Sequence, residues 1–471
     1  MTQERDVDDI RGQIHRAPLL DQIAILAANA FGFRPAQFDC ISVLGQPCAD
    51  HPRASSFQIE IPECDDGFLH LHHDTGYHGA VRIIYVTHTR FPTEKAHGNQ
   101  VAQVCHALTQ LGHQVTLLAP TVRNVITEDP HRYYGLPQSF DVVYPGSFDA
   151  LGSPFIPGKL AFMVGMWSYR RSLKKYLRDH TADLLYVRSP SILRPLLKTG
   201  LPVMLELHTL PRWGLRQFVR DCNRCFKIIC LTYPMRAAME VLGVDPVRMM
   251  TEGDAVDLTR FENLPDLATA KEAQGLPLDR VVVGYVGSLL ARNTLEKGVG
   301  ELVDALAILK YRGAKVTGFI VGGPREARER YEARARKENL QADDIVFKDR
   351  VPANEVSNMI AACDICVYPA PETVNRFFMR DTSPLKLFEY LAAGKSIVCS
   401  DLPPIRDVAN SKCVRFCLPG DTQDLADQIE WMIAYPAEAA ELAKNGKERV
   451  QKHSWTERMK RIVGRFGASE T

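Results

Sequence analysis

Two continuous β-branched runs, Val81-Arg-Ile-Ile-Tyr-Val-Thr87 and Val281-Val-Val-Gly-Tyr-Val-Gly287, constrain the fold most. Neither alternates apolar with polar residues, so each reads as a strand buried on both faces, as in parallel sheets covered by helices. After the first run comes a polar loop, His88 to Gly98. A stretch of helical period follows from Asn99 to Leu111, with apolar residues at Val101, Val104, Leu108 and Leu111. Gly112-His113 ends it, and Gln114-Val-Thr-Leu-Leu-Ala begins another strand. Parallel strands need such a crossover, so this is a βαβ unit. Similar strands are expected at Leu184-Leu-Tyr-Val, Val203-Met-Leu-Glu-Leu and Lys227-Ile-Ile-Cys-Leu.

The second run opens its own series. A helix is expected from Val299 to Lys310 and a strand from Lys315 to Val321, ending at Gly322-Gly323-Pro324. Helix Arg325 to Glu338, strand Ile345-Val-Phe, helix Asn354 to Ala362 and strand Ile365-Cys-Val-Tyr complete the alternation. The expectation is α/β: two Rossmann-like doubly wound domains, over residues 80–265 and 266–452, facing across a cleft where ligands bind. Residues 453–471 are expected to form a final helix. Residues 1–79 are less regular: Asp21 to Phe31 has helical period, Phe57 to Ile61 alternates like a strand, and Leu69 to His78 is rich in histidine.

Composition narrows the function classes. A net charge of +1 provides no global field for nucleic acid. No apolar run approaches the roughly 18 residues that span a bilayer, and the polar start Met-Thr-Gln-Glu-Arg-Asp does not resemble a signal peptide, so a cytoplasmic chain is expected. The 12 cysteines include Cys222/Cys225 and Cys363/Cys366 in Cys-x-x-Cys spacing, but the pairs lie too far apart for a zinc ribbon. Free thiols, buried or at the surface, and no metal are expected, with Cys366 in a buried strand.

Chemistry concentrates in Asp381-Thr-Ser-Pro-Leu-Lys-Leu-Phe-Glu389-Tyr-Leu-Ala-Ala-Gly394-Lys395. Asp381 falls in a loop and Glu389 in a short apolar helix that ends at a glycine, and the strand Ser396 to Ser400 follows at once. Both acids therefore lie at the carboxyl edge of a sheet, where an unpaired charge rarely serves packing.

With Asp364-Ile-Cys-Val-Tyr-Pro, Gly284-Tyr-Val-Gly-Ser, Glu296-Lys-Gly, Val321-Gly-Gly-Pro, Val203-Met-Leu-Glu-Leu-His, Asp254-Ala-Val-Asp-Leu-Thr-Arg-Phe and Ser454-Trp455, this block resembles the retaining glycosyltransferases of family four over roughly residues 81–465. The resemblance implies a GT-B fold whose last helix crosses back to the N-terminal domain. It implies transfer of a sugar from a nucleotide-diphosphate sugar, used as donor substrate with no cofactor, to a glycan, lipid-linked or small-molecule acceptor. Lys297 would hold the diphosphate, and Arg292 would stand in for the family's arginine, whose place is taken by Ser288. Backbone N–H groups near Ser383 and Leu385, at a helix start, would face phosphate. Gly98 would admit donor or acceptor close to the backbone. Glu389 would accept the ribose hydroxyls. Asp381 stands where the family usually has glutamate, and would touch the donor sugar or cap its loop. His208 would contact the transferred sugar, with Glu206 packed or ion-paired beneath it. No side chain reads as a nucleophile, so same-face attack is expected.

Alternatives remain. A dinucleotide oxidoreductase lacks its Gly-x-Gly-x-x-Gly after either first strand. A sugar-nucleotide epimerase shares the fold. A catalytically silent binding or scaffold protein is favoured by Asp381, Ser288 and Ala255 and opposed by Lys297, Glu389 and His208. Leu160, Phe162, Met163, Met166, Trp167, Tyr169 and Leu173 are interleaved with Arg170, Arg171, Lys174 and Lys175. That stretch reads either as a domain helix with an apolar core face or as a basic amphipathic segment in peripheral contact with the inner face of a membrane.

Overall fold

The computed structural model describes residues 80–149, 157–292 and 294–464. The readings of residues 1–79, including the histidine-rich tract, lie outside the described residues. The first sheet contains β1 (Arg82–Val86), β2 (Gln114–Leu118), β3 (Asp141–Val143), β4 (Leu184–Val187), β5 (Val203–Leu207), β6 (Lys227–Cys230) and β7 (Met249–Thr251). Its order is β3-β2-β1-β4-β5-β6-β7, and every pair is parallel.

The second sheet holds β8 (Val281–Val286), β11 (Val316–Val321), β12 (Ile345–Lys348), β13 (Ile365–Tyr368), β14 (Ser396–Ser400) and β15 (Arg415–Cys417). Its order is β12-β11-β8-β13-β14-β15, again all parallel. A short antiparallel hairpin, β9 (Leu290–Ala291) with β10 (Leu295–Glu296), separates β8 from the helix Val299–Tyr311. Chain direction reverses across the sheet between β1 and β4, and between β8 and β13. These switch points place two crevices at strand C-termini.

The apolar runs are buried as both-face strands require. Ile83 to Val86 and Val282 to Val286 are each within a few per cent of full burial. Helices cover both faces: Ile84 and Leu185 lie in one core, Ile83 and Tyr85 in another. Each such side chain contributes about 1.5–3 kcal/mol when withdrawn from water. Gly284 sits mid-strand because a Cβ there would meet Cys363.

Trp455–Val463 is the last described helix. Ser454 caps it by accepting from the Glu457 N–H at 3.2 Å. Trp455, Met459, Ile462 and Val463 enter the same core as Val101, Val104 and Leu108 of the helix Ala96–Gln110. The chain thus returns, after the second sheet, to the side of the first. Nine free, buried cysteines are found among the described residues, Cys366 within β13 as expected.

Candidate active site

Three charged side chains gather in the crevice of the second sheet. Lys386 and Glu389 project from one face of the helix Leu385–Ala392, being three residues apart. Lys297 follows β10 and precedes Gly298, whose φ of 79° is a conformation suited to glycine. Lys297 and Lys386 lie close enough for each to act on the other's charge. Lys386 also donates to Tyr285 Oη at 3.0 Å and lies over the rings of Tyr285 and Tyr368. A side chain at Gly287 would collide with the Lys386 stem, so the turn after β8 must be glycine for this lysine to reach the crevice.

Burial pushes Lys297 down to about 8. Burial and then Lys297 hold Lys386 well below the usual lysine range. Burial raises Glu389 to about 7, against the opposing pull of Arg260 and Lys386. Glu389 forms no hydrogen bond or ion pair at its carboxylate among the described residues. Two buried amines side by side, Lys297 disfavouring the Lys386 charge, with an unpaired acid beside them, describe a site arranged for a ligand rather than for stability.

The other expected residues of this half are engaged within the protein. Asp381 ends a wide helical turn, Phe377–Asp381, and is almost fully buried. It accepts from Arg380 Nε at 2.7 Å and lies 3.5 Å from Arg292 Nη2, so it is held between two arginines. Arg292 has φ +50° and stacks over Phe377. Ser383 Oγ accepts from the Asp254 N–H at 2.9 Å, and the Leu385 N–H donates to Ser383 O at 3.0 Å. Leu385 packs against the first core. This helix start, expected to face phosphate, therefore joins the two halves of the chain.

His208 follows β5 at the edge of the first sheet. Its Nε2 lies 2.8 Å from Glu206 Oε1, and its Nδ1 lies 3.0 Å from Arg188 Nη2. The neutral tautomer with its hydrogen on Nε2 satisfies both contacts. Burial, and then Arg188, keep the ring below its ordinary value. Glu206 is completely buried, as its place beneath His208 suggested. It accepts from Gln100 at 2.6 Å, from Arg458 at 3.3 Å and from the Tyr186 hydroxyl. Burial raises its carboxyl, but Arg458 and the His208 hydrogen bond outweigh that and hold it far below the carboxylate range. Gln100 also reaches Asp254 Oδ1 at 2.8 Å, so a hydrogen-bond chain runs from His208 through Glu206, Gln100 and Asp254 to Ser383.

Packing within the protein also calls for glycine at position 98. A Cβ there would strike Tyr134 Oη and Thr93. Sequence reasoning did not single out Lys386, Arg188, Gln100 or Arg458. Spacing three residues before Glu389 was an available signal for Lys386. Arg458 had none: it comes from the last helix, 252 residues beyond Glu206.

The family model of glycosyl transferases group 1 matches residues 268–449, and that of glycosyltransferase family 4 matches residues 97–260. The chain belongs to the family 4 glycosyltransferases. This glycosyltransferase is 25% identical over 371 residues to a phosphatidyl-myo-inositol mannosyltransferase of Mycolicibacterium smegmatis, covering 76% of this chain and 86% of that one. It is 23% identical over 250 residues to a D-inositol 3-phosphate glycosyltransferase of Rhodococcus erythropolis, covering 51% and 53%. Among solved structures it resembles sucrose-phosphate synthase from Thermosynechococcus elongatus, with a TM-score of 0.62, 18% identity and coverage of 82% and 98%. HepE of Anabaena in complex with UDP and glucose gives 0.60, 18%, 82% and 100%. These likenesses establish the GT-B fold of the glycosyltransferase. Among its described residues no helix is long and apolar enough to cross a membrane.

Proposed function

We propose that the enzyme transfers a sugar from a nucleotide-diphosphate sugar to an acceptor hydroxyl with retention of configuration, without a cofactor. The observation that carries this reading is the Lys297, Lys386 and Glu389 constellation. A diphosphate between the lysines removes their mutual repulsion and takes up the charge released when the sugar–phosphate bond breaks. The two oxygens of Glu389 suit the paired hydroxyls of a ribose. The acceptor oxygen bonds to the anomeric carbon on the face that the phosphate leaves, and its proton passes to the departing phosphate oxygen. Same-face attack is favoured because Glu206, Asp254 and Asp381 are each hydrogen-bonded within the protein. In this reading His208 and Gly98 border the sugar side, while Asp381, Arg292, Ser383 and Leu385 shape the donor pocket.

The names of the relatives favour a polyol hydroxyl acceptor, free or lipid-linked. For a lipid-linked acceptor the enzyme works at the inner face of a membrane. The helix Gly158–Asp179 supports that placement: Leu160, Met163 and Trp167 are exposed in its first half, and Arg170, Arg171, Lys174 and Lys175 in its second. The anchoring of Asp381 by two arginines favours a second reading, a sugar-nucleotide-binding scaffold without turnover. Donor hydrolysis and transfer measured over a nucleotide-sugar panel decide between them: turnover of at least one donor supports the enzyme, and tight binding without turnover of any donor supports the scaffold.

A further inference from the structure

The edge of the first sheet carries a second group of cationic and imidazole side chains, of which only His208 borders the donor sugar in the reading above. Strands β1, β4 and β5 are adjacent and parallel, so the residues that follow them emerge side by side. Arg188 and His208 directly follow β4 and β5, and His88 lies two residues beyond the end of β1. His97, in the first turn of the helix Ala96–Gln110, joins them from above the same edge.

Arg188 is the centre of the group. Its Nη2 meets His208 Nδ1 at 3.0 Å, its Nε is buried with no hydrogen-bond partner, and no carboxylate lies within ion-pair distance of it among the described residues. The acids nearby are committed elsewhere: Glu206 to Arg458, Gln100, Tyr186 and His208, and Asp254 to Gln100. Arg188 is half-buried, and a buried Nε–H left without an acceptor is costly unless a ligand supplies one. Burial, and then the Arg188 charge, push both His88 and His97 down to about 4, so both are neutral N–H donors at neutral pH.

We propose that this edge is an anion subsite for the acceptor, in which Arg188, with His88 and His97, binds a phosphoryl group carried by the acceptor molecule. The proposal rests on the transferase reading, since it takes the second ligand in the cleft to be an acceptor. Arg188 offers a planar fork of N–H donors, and the imidazoles of His88 and His97 add donors from a neighbouring strand end and a helix start, a set suited to the several oxygens of a phosphoryl group. The phosphoryl group belongs to a soluble polyol or sugar phosphate, or to a lipid headgroup.

The test uses the full chain and two ligand arms. The soluble arm measures binding of glucose and glucose 6-phosphate. The vesicle arm compares phosphatidylcholine vesicles with and without phosphatidylinositol. Both arms are read as wild type against Arg188→Gln, which leaves the basic helix Gly158–Asp179 intact. We expect wild type to bind glucose 6-phosphate at least tenfold better than glucose, or vesicles with phosphatidylinositol at least tenfold better than phosphatidylcholine alone, whose phosphate is neutralised by its own choline; the arm that responds names the source. We expect Arg188→Gln to abolish that preference and Arg188→Lys to keep part of it. His88→Gln, which leaves the guanidinium in place, should weaken the same ligand severalfold.

Nucleoside diphosphate binding serves as the control for the donor reading. Lys297→Ala should weaken it at least tenfold, with the phosphate preference unchanged. The proposal is overturned if wild type shows no phosphate preference in either arm, or if Arg188→Gln retains that preference within twofold. If wild type binds no nucleoside diphosphate yet keeps an Arg188-dependent phosphate preference, the donor reading fails and the anion subsite stands.

Discussion

Lys297 and Glu389 are titratable groups whose burial matters more than their identity. Lys297 loses its proton as pH rises through about 8, and Glu389 becomes ionised only as pH rises through about 7. Donor capture that needs an ammonium and a carboxylate together is strongest between those values. The dependence of kcat/KM on pH, which reports groups of the free enzyme, should therefore form a narrow bell with limbs near 7 and 8. Lys297→Arg should carry the alkaline limb upward, because a guanidinium stays charged. An alkaline limb that does not move would mean that Lys297 is not the group titrating there. At the same scale, Lys297→Ala and Glu389→Gln should each lower kcat/KM at least about tenfold, roughly 1.4 kcal/mol of transition-state stabilisation. Unchanged turnover in both variants would remove the donor assignment.

Among the elements, the helix Trp455–Val463 does the most to bind distant parts of the chain. It brings Arg458, fully buried, against Glu206 and Gly253 O. Arg458→Met leaves the Glu206 charge buried without its guanidinium, and should cost about 3–5 kcal/mol. Adding Glu206→Gln to that variant should recover a sizeable part, because the unpaired charge is then gone. Denaturant melts of the single and double variants measure this, and strict additivity would show that the pair is not coupled. Much of this level was legible beforehand. The both-face strands, the alternating helices and the glycine at position 394, with φ +64°, follow from local pattern. The helix at Ala96 begins three residues earlier than its apolar period suggests, because Ala96, His97 and Gly98 lack that period.

For the whole molecule, the relation of the two sheets decides what the cleft can hold. The Ser383–Asp254 hydrogen bond and the Thr232 Oγ1 bond to Arg380 O at 2.6 Å tie the halves together beside the donor site. The exposed face of the helix Gly158–Asp179 is the surface best suited to a membrane. Replacing Arg170, Arg171, Lys174 and Lys175 by glutamine should weaken binding to anionic vesicles by about 1 kcal/mol per charge at low salt. Cosedimentation measures this, and equal binding by the variant would exclude these residues as the membrane contact.

The sequence determined the strand and helix alternation, the two parallel sheets, Lys297 and His208 as polar residues after strands, and Glu389 as an acid on a short apolar helix. Those features depend on spacing within a few residues, which the chain carries locally. Tertiary structure alone decided which charges are paired. Asp381 and Glu389 are both acids of one segment, yet Asp381 lies between two arginines and Glu389 stands unpaired. Lys386 became part of the site only because Gly287, 99 positions earlier, leaves room for its stem. Charge pairing is set by distances across the fold, falls off within a few ångströms and depends on burial, and none of these can be read from neighbours in sequence.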